Sequence, residues 1–335
     1  MTPFSFELYP PRTPARTAAL EGTIRRLAAA GPDFLSVTYG AGGSTGGESL
    51  RVLRWIRENT DVDPLAHLTC VGNDYVTASA LIREFLDAGI ERFLAVRGDP
   101  PAGKDEDDAF LGDLRTSAEL VQLIHRVQAE RAPYGETAIP GQPDAVRVDP
   151  RPRARTTVAA FPNGHPRSRH PREHLDALLA KQAAGADAAI TQLFFHADDY
   201  LRFVERARAA GVTIPILPGV MPVTSPAKLR RMLELTGEPL PAELSVSLEV
   251  EPTPEGRREV GVAYAARLAR DVLAGGAPGI HLYAFNEHET VLAVLREAGV
   301  PLREAGVPLR EGAAADAPRT DPHPAFAGST KETTR

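Results

Sequence analysis

Apolar and β-branched residues cluster in eight short runs, at 4–8, 34–39, 65–70, 92–97, 156–161, 188–192, 214–221 and 279–285. Each is the length of a strand. Between most of them the apolar residues return at helical spacing: Leu81, Ile82, Phe85 and Leu86 form one stripe, Leu175, Leu178 and Leu179 a second, and Leu201 and Val204 begin a third. Several helical stretches close on a glycine (Gly31, Gly89, Gly185, Gly211) that leads into the next strand. Strand, helix, glycine and strand, repeated, is the pattern of a parallel sheet with crossover helices. Eight repeats in roughly 300 residues predict a closed (β/α)8 TIM barrel in a single domain over 1–312, in preference to an open doubly wound sheet. No GxGxxG follows the first strand, which also argues against a dinucleotide-binding sheet.

Two stretches stand outside the repeat. Residues 129–155 are rich in Pro, Gly and Arg and lack apolar periodicity, which predicts an irregular insertion before the fifth strand. Near the C-terminus the heptapeptide LREAGVP occurs twice in succession. The first copy is expected to finish the last helix. The second reads as a local duplication, and 313–335 as a disordered tail.

Composition narrows the function. A net charge of −6 disfavours a nucleic-acid groove or an anionic membrane surface as partner. No apolar run is long enough to span a bilayer, and no basic segment followed by an apolar core opens the chain, so a cytoplasmic location is expected. The single cysteine, Cys70, leaves no intrachain disulfide and no multi-thiolate metal site.

A barrel works at the C-terminal ends of its strands. Those ends carry Glu7, Thr38, His67 with Thr69, Arg97-Gly98-Asp99, His165, Thr191-Gln192, and Tyr283 with Asn286. Taken singly, the threonines read as strand-end caps, His67 as a core histidine and Arg97 with Asp99 as a surface turn. Together they fall on one rim. Glu7 is the hardest to explain as structure alone. In the first strand, alternation sets Phe4, Phe6 and Leu8 on one face and Ser5, Glu7 and Tyr9 on the other, just before Pro10 and Pro11 end the strand. A carboxylate aimed into a barrel is paired, solvated or working.

The segments FSFELYPPRT, PDFLSVTYGAGGS, AHLTC, AVRGDPP, AAFPNGHP, GADAAITQLFF and PILPGVMPVTS occur in that order. Together, over residues 3–300, they resemble the methylenetetrahydrofolate reductase family, in its short bacterial form that is a catalytic barrel alone. The resemblance implies bound FAD and ping-pong chemistry. NADH or NADPH reduces the flavin and leaves, then methylenetetrahydrofolate accepts the hydride and becomes 5-methyltetrahydrofolate, the methyl donor for methionine synthesis. An assembly of identical subunits is implied as well.

Residue by residue, the resemblance makes Glu7 the acid that protonates the departing nitrogen as the folate ring opens. A desolvated barrel mouth is expected to raise its pKa toward working pH. Asp99 matches an aspartate beside the flavin and pterin that helps bind folate and tunes the flavin. Gln192 matches a glutamine on the pterin, and Tyr283 is placed with the substrate. Thr38, His67, Val96, Arg97, Gly98, Phe161, His165 and Lys181 match flavin-contacting positions, with Arg97 and Lys181 suited to the diphosphate. Thr116, Ser117 and His174 stand at cofactor positions where the family pattern has other residues, Tyr-Ala for the first two and aspartate for the third. Met232 replaces a mobile phenylalanine over the substrate, and Glu287 an arginine that holds the folate tail.

Three other readings compete. A flavin-independent reductase of a methylene-tetrahydropterin would be colourless. A zinc-dependent methyltransferase barrel is opposed by the single cysteine. A non-catalytic folate-binding barrel would not need Glu7 together with Asp99. As a test of the domain reading, truncation after Gly312 should leave Tm and turnover nearly unchanged; a large loss of folded protein would show that the tail docks on the barrel.

Overall fold

The computed structural model describes residues 2–303, apart from 12, 40–45, 73, 99–111, 132–133, 151–152, 166–167, 169 and 171. The first four strands and their helices alternate as the pattern predicts: β1 (Phe4–Leu8), α1 (Pro14–Ala29), β2 (Phe34–Val37), α2 (Gly46–Asn59), β3 (Asp63–Thr69), α3 (Tyr75–Asp87), β4 (Arg92–Val96) and α4 (Ser117–Arg131). After an inserted pair, β5 (Tyr134–Ile139) and β6 (Gln142–Pro150), the alternation resumes with β7 (Arg155–Ala160), α5 (Glu173–Ala183), β8 (Ala188–Thr191) and α6 (Ala197–Ala209). The described elements continue with β9 (Ile216–Leu217), β10 (Gly219–Val220), α7 (Pro226–Thr236), α8 (Ala242–Val250), α9 (Pro254–Ala274), β11 (Ile280–Tyr283) and α10 (His288–Glu297).

The main sheet runs β10-β11-β1-β2-β3-β4-β7-β8-β9, and every pairing in it is parallel. Its two ends meet in one stretch of chain. β9 pairs with β8 and β10 pairs with β11, and only Pro218 separates them. Proline has no N–H to give a ladder, yet its carbonyl still accepts from His281 N at 2.9 Å. The split stave therefore closes the sheet into the eight-stave barrel. All eight predicted strands are present, and the one read as 214–221 is the one proline interrupts.

Alternation sorts the staves into two apolar layers. Phe4, Phe6, Leu8, Leu35, Val37, Ala66, Leu68, Phe93 and Ala95 face outward into the core that the helices cover. Phe34, Leu65, Leu94, Ile190 and Leu217, joined by Val96, fill the barrel floor. Above that floor the inward positions turn polar. The fold thus places polar side chains at the strand ends, over a dry base.

The insertion departs from expectation. Where 129–155 reads as irregular, α4 continues to Arg131 and β5 and β6 form an antiparallel hairpin, in register from Tyr134↔Pro150 to Ala138↔Val146, with an irregularity before Ile139. The alternation in TAI and AVRV is real, but the surrounding Pro and Gly hide it. The first LREAGVP copy does complete α10. The tail at 313–335 lies outside the described residues.

Among the glycines fixed by close approach, two stand beside the polar strand ends. Gly98 has φ +86°, and a Cβ there would lie 2.5 Å from Val71 Cγ2. A Cβ on Gly219 would run into the Thr191 carbonyl and lie 2.7 Å from the Tyr283 ring. Those neighbours are tied together, since Tyr283 Oη donates to Thr191 O at 2.7 Å. Gly219→Ala should therefore lower the unfolding free energy by about 1–3 kcal/mol, as overpacking does. Urea titration checks this; a loss under about 0.5 kcal/mol would mean the closing stave relaxes freely.

Candidate active site

In β1, burial of Phe4, Phe6 and Leu8 against the helices leaves Ser5 and Glu7 pointing into the barrel. Register sets Ser5 beside His281 and Glu7 beside Tyr283 on β11, and Glu7 beside Ser36 on β2. Glu7 is only 8% exposed. Thr38 Oγ1 lies 3.2 Å from Glu7 Oε1 and 3.1 Å from the Leu8 carbonyl, so its hydrogen can serve either. On the other carboxylate oxygen, His67 Nε2 stands at 3.9 Å and His281 Nε2 at 3.7 Å. Neither Nε2 makes a hydrogen bond among the described residues. His281 is held from behind, with Nδ1 2.8 Å from Ser5 Oγ and its ring stacked 5.8 Å from Phe34.

The electrostatics correct one expectation. Burial does push the Glu7 carboxyl up. The charges of His67 and His281, with the hydrogen-bond donors around the carboxylate, outweigh it and leave Glu7 below its ordinary value. Burial also lowers His67, and Glu7 only partly offsets this. Tyr9 and Tyr283 are both raised, by burial first and by Glu7 second, so they remain neutral phenols.

A second group gathers at the end of β7. Phe161 and His165 meet edge to face at 4.7 Å. Lys181, on α5, donates to the Ala159 carbonyl at 2.8 Å and lies 5.9 Å from the Phe161 ring centre. Burial lowers it to about 8. Val96 ends β4, Arg97 and Gly98 follow it, and the Arg97 carbonyl accepts from Cys70 N. Gln192 follows β8 and turns its Oε1 to Leu193 N at 2.9 Å. Met232 packs with Tyr283 and Phe285 on a small cluster that includes Leu193, Met221 and Leu229. His174 lies 6.0 Å from the Phe203 ring, and neither of its ring nitrogens is bonded among the described residues. Thr116 and Ser117 open α4, where Thr116 and Glu119 exchange side chain-to-backbone bonds in a capping box. Asp99 lies outside the described residues.

The family model for methylenetetrahydrofolate reductase matches residues 1–299. The chain belongs to the methylenetetrahydrofolate reductase family. A 5,10-methylenetetrahydrofolate reductase from Salmonella typhimurium is 30% identical over 297 residues, covering 88% of this chain and 90% of that one. The Escherichia coli K12 enzyme of that name is 29% identical with the same coverage. A rice protein named probable methylenetetrahydrofolate reductase (NADH) is 33% identical over 304 residues, 89% of this chain but 48% of its own length. The chain thus spans about half of its plant relatives and nearly all of the bacterial ones. A solved Clostridium thermocellum protein, described as binding two copies of 5-methyl-5,6,7,8-tetrahydrofolic acid, shares the fold at TM-score 0.56 and 14% identity, covering 88% of this chain and 95% of that one.

Within this family barrel, Glu7, Thr38, His67 and Tyr283 converge, while Phe161, His165 and Lys181 form a separate wall. Sequence reading missed Ser5 and His281. The signal was present: alternation in IHLY puts His281 on the face of Tyr283, and Ser5 shares the face of Glu7. No helix among the described residues is long and apolar enough to cross a membrane.

The shifts fix a pH dependence. A carboxyl lowered by folding stabilises the fold above its ordinary 4.5 and loses that contribution as pH falls through the lower folded value. A histidine lowered by folding stays neutral while the unfolded chain takes the proton, so stability also falls as pH drops below 6.5. His125 and His174 act in the same direction. In urea unfolding, His67→Gln should flatten the profile as pH falls below 6.5, and Glu7→Gln as it falls below 4.5. Profiles parallel to the parent's would show the wrong groups are titrating.

Proposed function

We propose that this chain reduces 5,10-methylenetetrahydrofolate to 5-methyltetrahydrofolate with NAD(P)H, through bound FAD and in two alternating half-reactions. The observation that carries the reading is Glu7, a buried carboxylate at the mouth of a barrel of this family, with two imidazoles facing one of its oxygens. The substrate is a five-membered ring in which a methylene carbon joins N5 to N10. Reduction needs a proton on N10. The C–N10 bond then breaks, the carbon remains on N5 as an iminium, and hydride converts it to a methyl group. Glu7 supplies the proton. At rest its neighbours favour the carboxylate. A pterin over the mouth removes water and strengthens the burial that already opposes them, driving Glu7 toward the protonated acid. His67 and His281 are placed to return a proton to the same oxygen after turnover. Gln192 can bond the pterin edge through its paired donor and acceptor.

The residues fit FAD. Lys181 is a buried ammonium with a carbonyl contact but no anionic partner among the described residues, and a diphosphate would restore the charge that burial disfavours. Gly98, with φ +86°, turns the backbone just after β4, at the rim where the cofactor ring would lie. Thr38, His67, Val96, Arg97, Phe161 and His165 would line the rest, with Thr116, Ser117 and His174 toward the adenosine end. When bound, FAD accepts hydride from the nicotinamide and passes it to the folate. The methyl product would serve methionine synthesis.

The purified protein should be yellow and release FAD on denaturation. A colourless protein that reduces methylenetetrahydrofolate with NAD(P)H, and gains nothing from added FAD, would favour the flavin-independent reading. Glu7→Gln should keep NAD(P)H oxidation with an artificial acceptor within a few-fold while slowing folate reduction by roughly 10²–10⁴. Stopped-flow absorbance separates the two; equal slowing would make Glu7 a structural group.

A further inference from the structure

Beyond Glu7, the first and last staves continue into an unusual rim. Phe285 and Asn286 have φ 47° and 64°, the two non-glycine residues with positive φ among those described. For a ring as large as Phe285 that conformation is strained, and strain of this kind gathers at functional sites. It is held from β1. Asn286 Oδ1 accepts from Tyr9 N at 3.0 Å, and Asn286 Nδ2 donates to Tyr9 O at 3.0 Å. The result is a stacked ring pair, Tyr9 on Phe285, at 5.2 Å and 19°. From the first turn of α7, Lys228 reaches over the same ring, with Nζ 4.9 Å from its centre. Lys228 Nζ is 3.8 Å from Glu287 Oε1, beyond hydrogen-bond length, and the Glu287 side chain is half exposed. Burial lowers Lys228, and Glu287 offsets that only in part.

We infer that Lys228 is the cation that receives a carboxylate of the substrate's glutamyl tail, and that the Tyr9–Phe285 pair is the wall along which the tail leaves the barrel. The inference rests on the reductase reading above and deepens it. If Glu7 protonates N10, the position of the tail follows, because N10 carries the benzoyl ring and the benzoyl ring carries the glutamate. Glu7 and Tyr283 are register neighbours, Ala284 N donates to the Glu7 carbonyl at 3.2 Å, and Tyr9 and Phe285 follow in the segments just past the ends of the two staves, on the outward side of the acid. A half-buried ammonium stands at the end of that path, fixed over a ring and without a hydrogen bond to Glu287. Where the family resemblance implies an arginine after the last strand, this chain has Glu287 and brings its cation from α7 instead. Glu287 then competes with the incoming carboxylate.

The test is calorimetric titration of the full chain, purified with its cofactor, with 5-methyltetrahydrofolate and with the same compound carrying both glutamate carboxylates as neutral amides. The parent protein should prefer the acid form by about tenfold, the scale of one charged hydrogen bond. K228M should raise the Kd of the acid form about tenfold and that of the diamide less than twofold. E287Q should tighten the acid form only. Equal weakening of both compounds by K228M would make Lys228 a packing residue, and no weakening would leave the tail without this contact; either overturns the inference while the reductase reading stands. Slower NAD(P)H oxidation in K228M with unchanged folate binding would assign the cation to the nucleotide, and also overturns it. A parent protein that binds neither compound would sink the reductase reading together with this one.

Discussion

The structure is organised around a carboxylate kept out of water. Glu7 sits where burial alone would make it neutral, and three other staves supply what keeps it charged: Thr38 after β2, His67 on β3 and His281 on β11. None of these contacts survives a change of register. A slip of one residue in β1 would turn Glu7 out among the helices and bring Phe6 inward. Barrel closure is part of the same constraint. β11 reaches β1 only because the stave split at Pro218 joins β8 to β11, and Tyr283 fits beside it only because residue 219 has no side chain.

That constraint also divides the labour of the barrel interior. The floor of Phe34, Leu65, Leu94, Ile190 and Leu217 excludes water from below and supports His281 through its stack on Phe34. Above it the polar groups form two regions. Around Glu7 lie groups able to hold and move a proton. At the end of β7 lie rings and a buried ammonium suited to a large anionic cofactor. Beyond both, the strained turn at Phe285 extends the site outward along the staves that carry the acid. Proton delivery and tail recognition would then share one piece of backbone, and Asn286 locks it.

Much of this was legible because strand alternation is a strict code. The inward face of FSFEL exposes Glu7 in the sequence itself, and the eight apolar runs found all eight staves, including the one broken by Pro218. The hairpin of β5 and β6 escaped because turn-forming residues crowd its short alternating runs. His281 escaped because a histidine between Ile280 and Leu282 resembles a core residue until β1 is laid beside it. The direction of the Glu7 shift escaped for the same reason: burial is readable from an apolar strand, but the imidazoles that outweigh it arrive from residues 67 and 281. The pairing of Lys228 with Phe285 joins the first turn of α7 to the turn after β11, far apart in the chain, and no local pattern announces it.

The most direct measurement is the pH dependence of a single turnover in which the reduced enzyme meets methylenetetrahydrofolate. If Glu7 donates the proton, the rate should be level at low pH and fall about tenfold per unit once pH passes the acid's value in the complex. The reaction with NAD(P)H should show no such limb. A folate step that is flat with pH, or that shares its profile with the nicotinamide step, would contradict the assignment of the acid to Glu7.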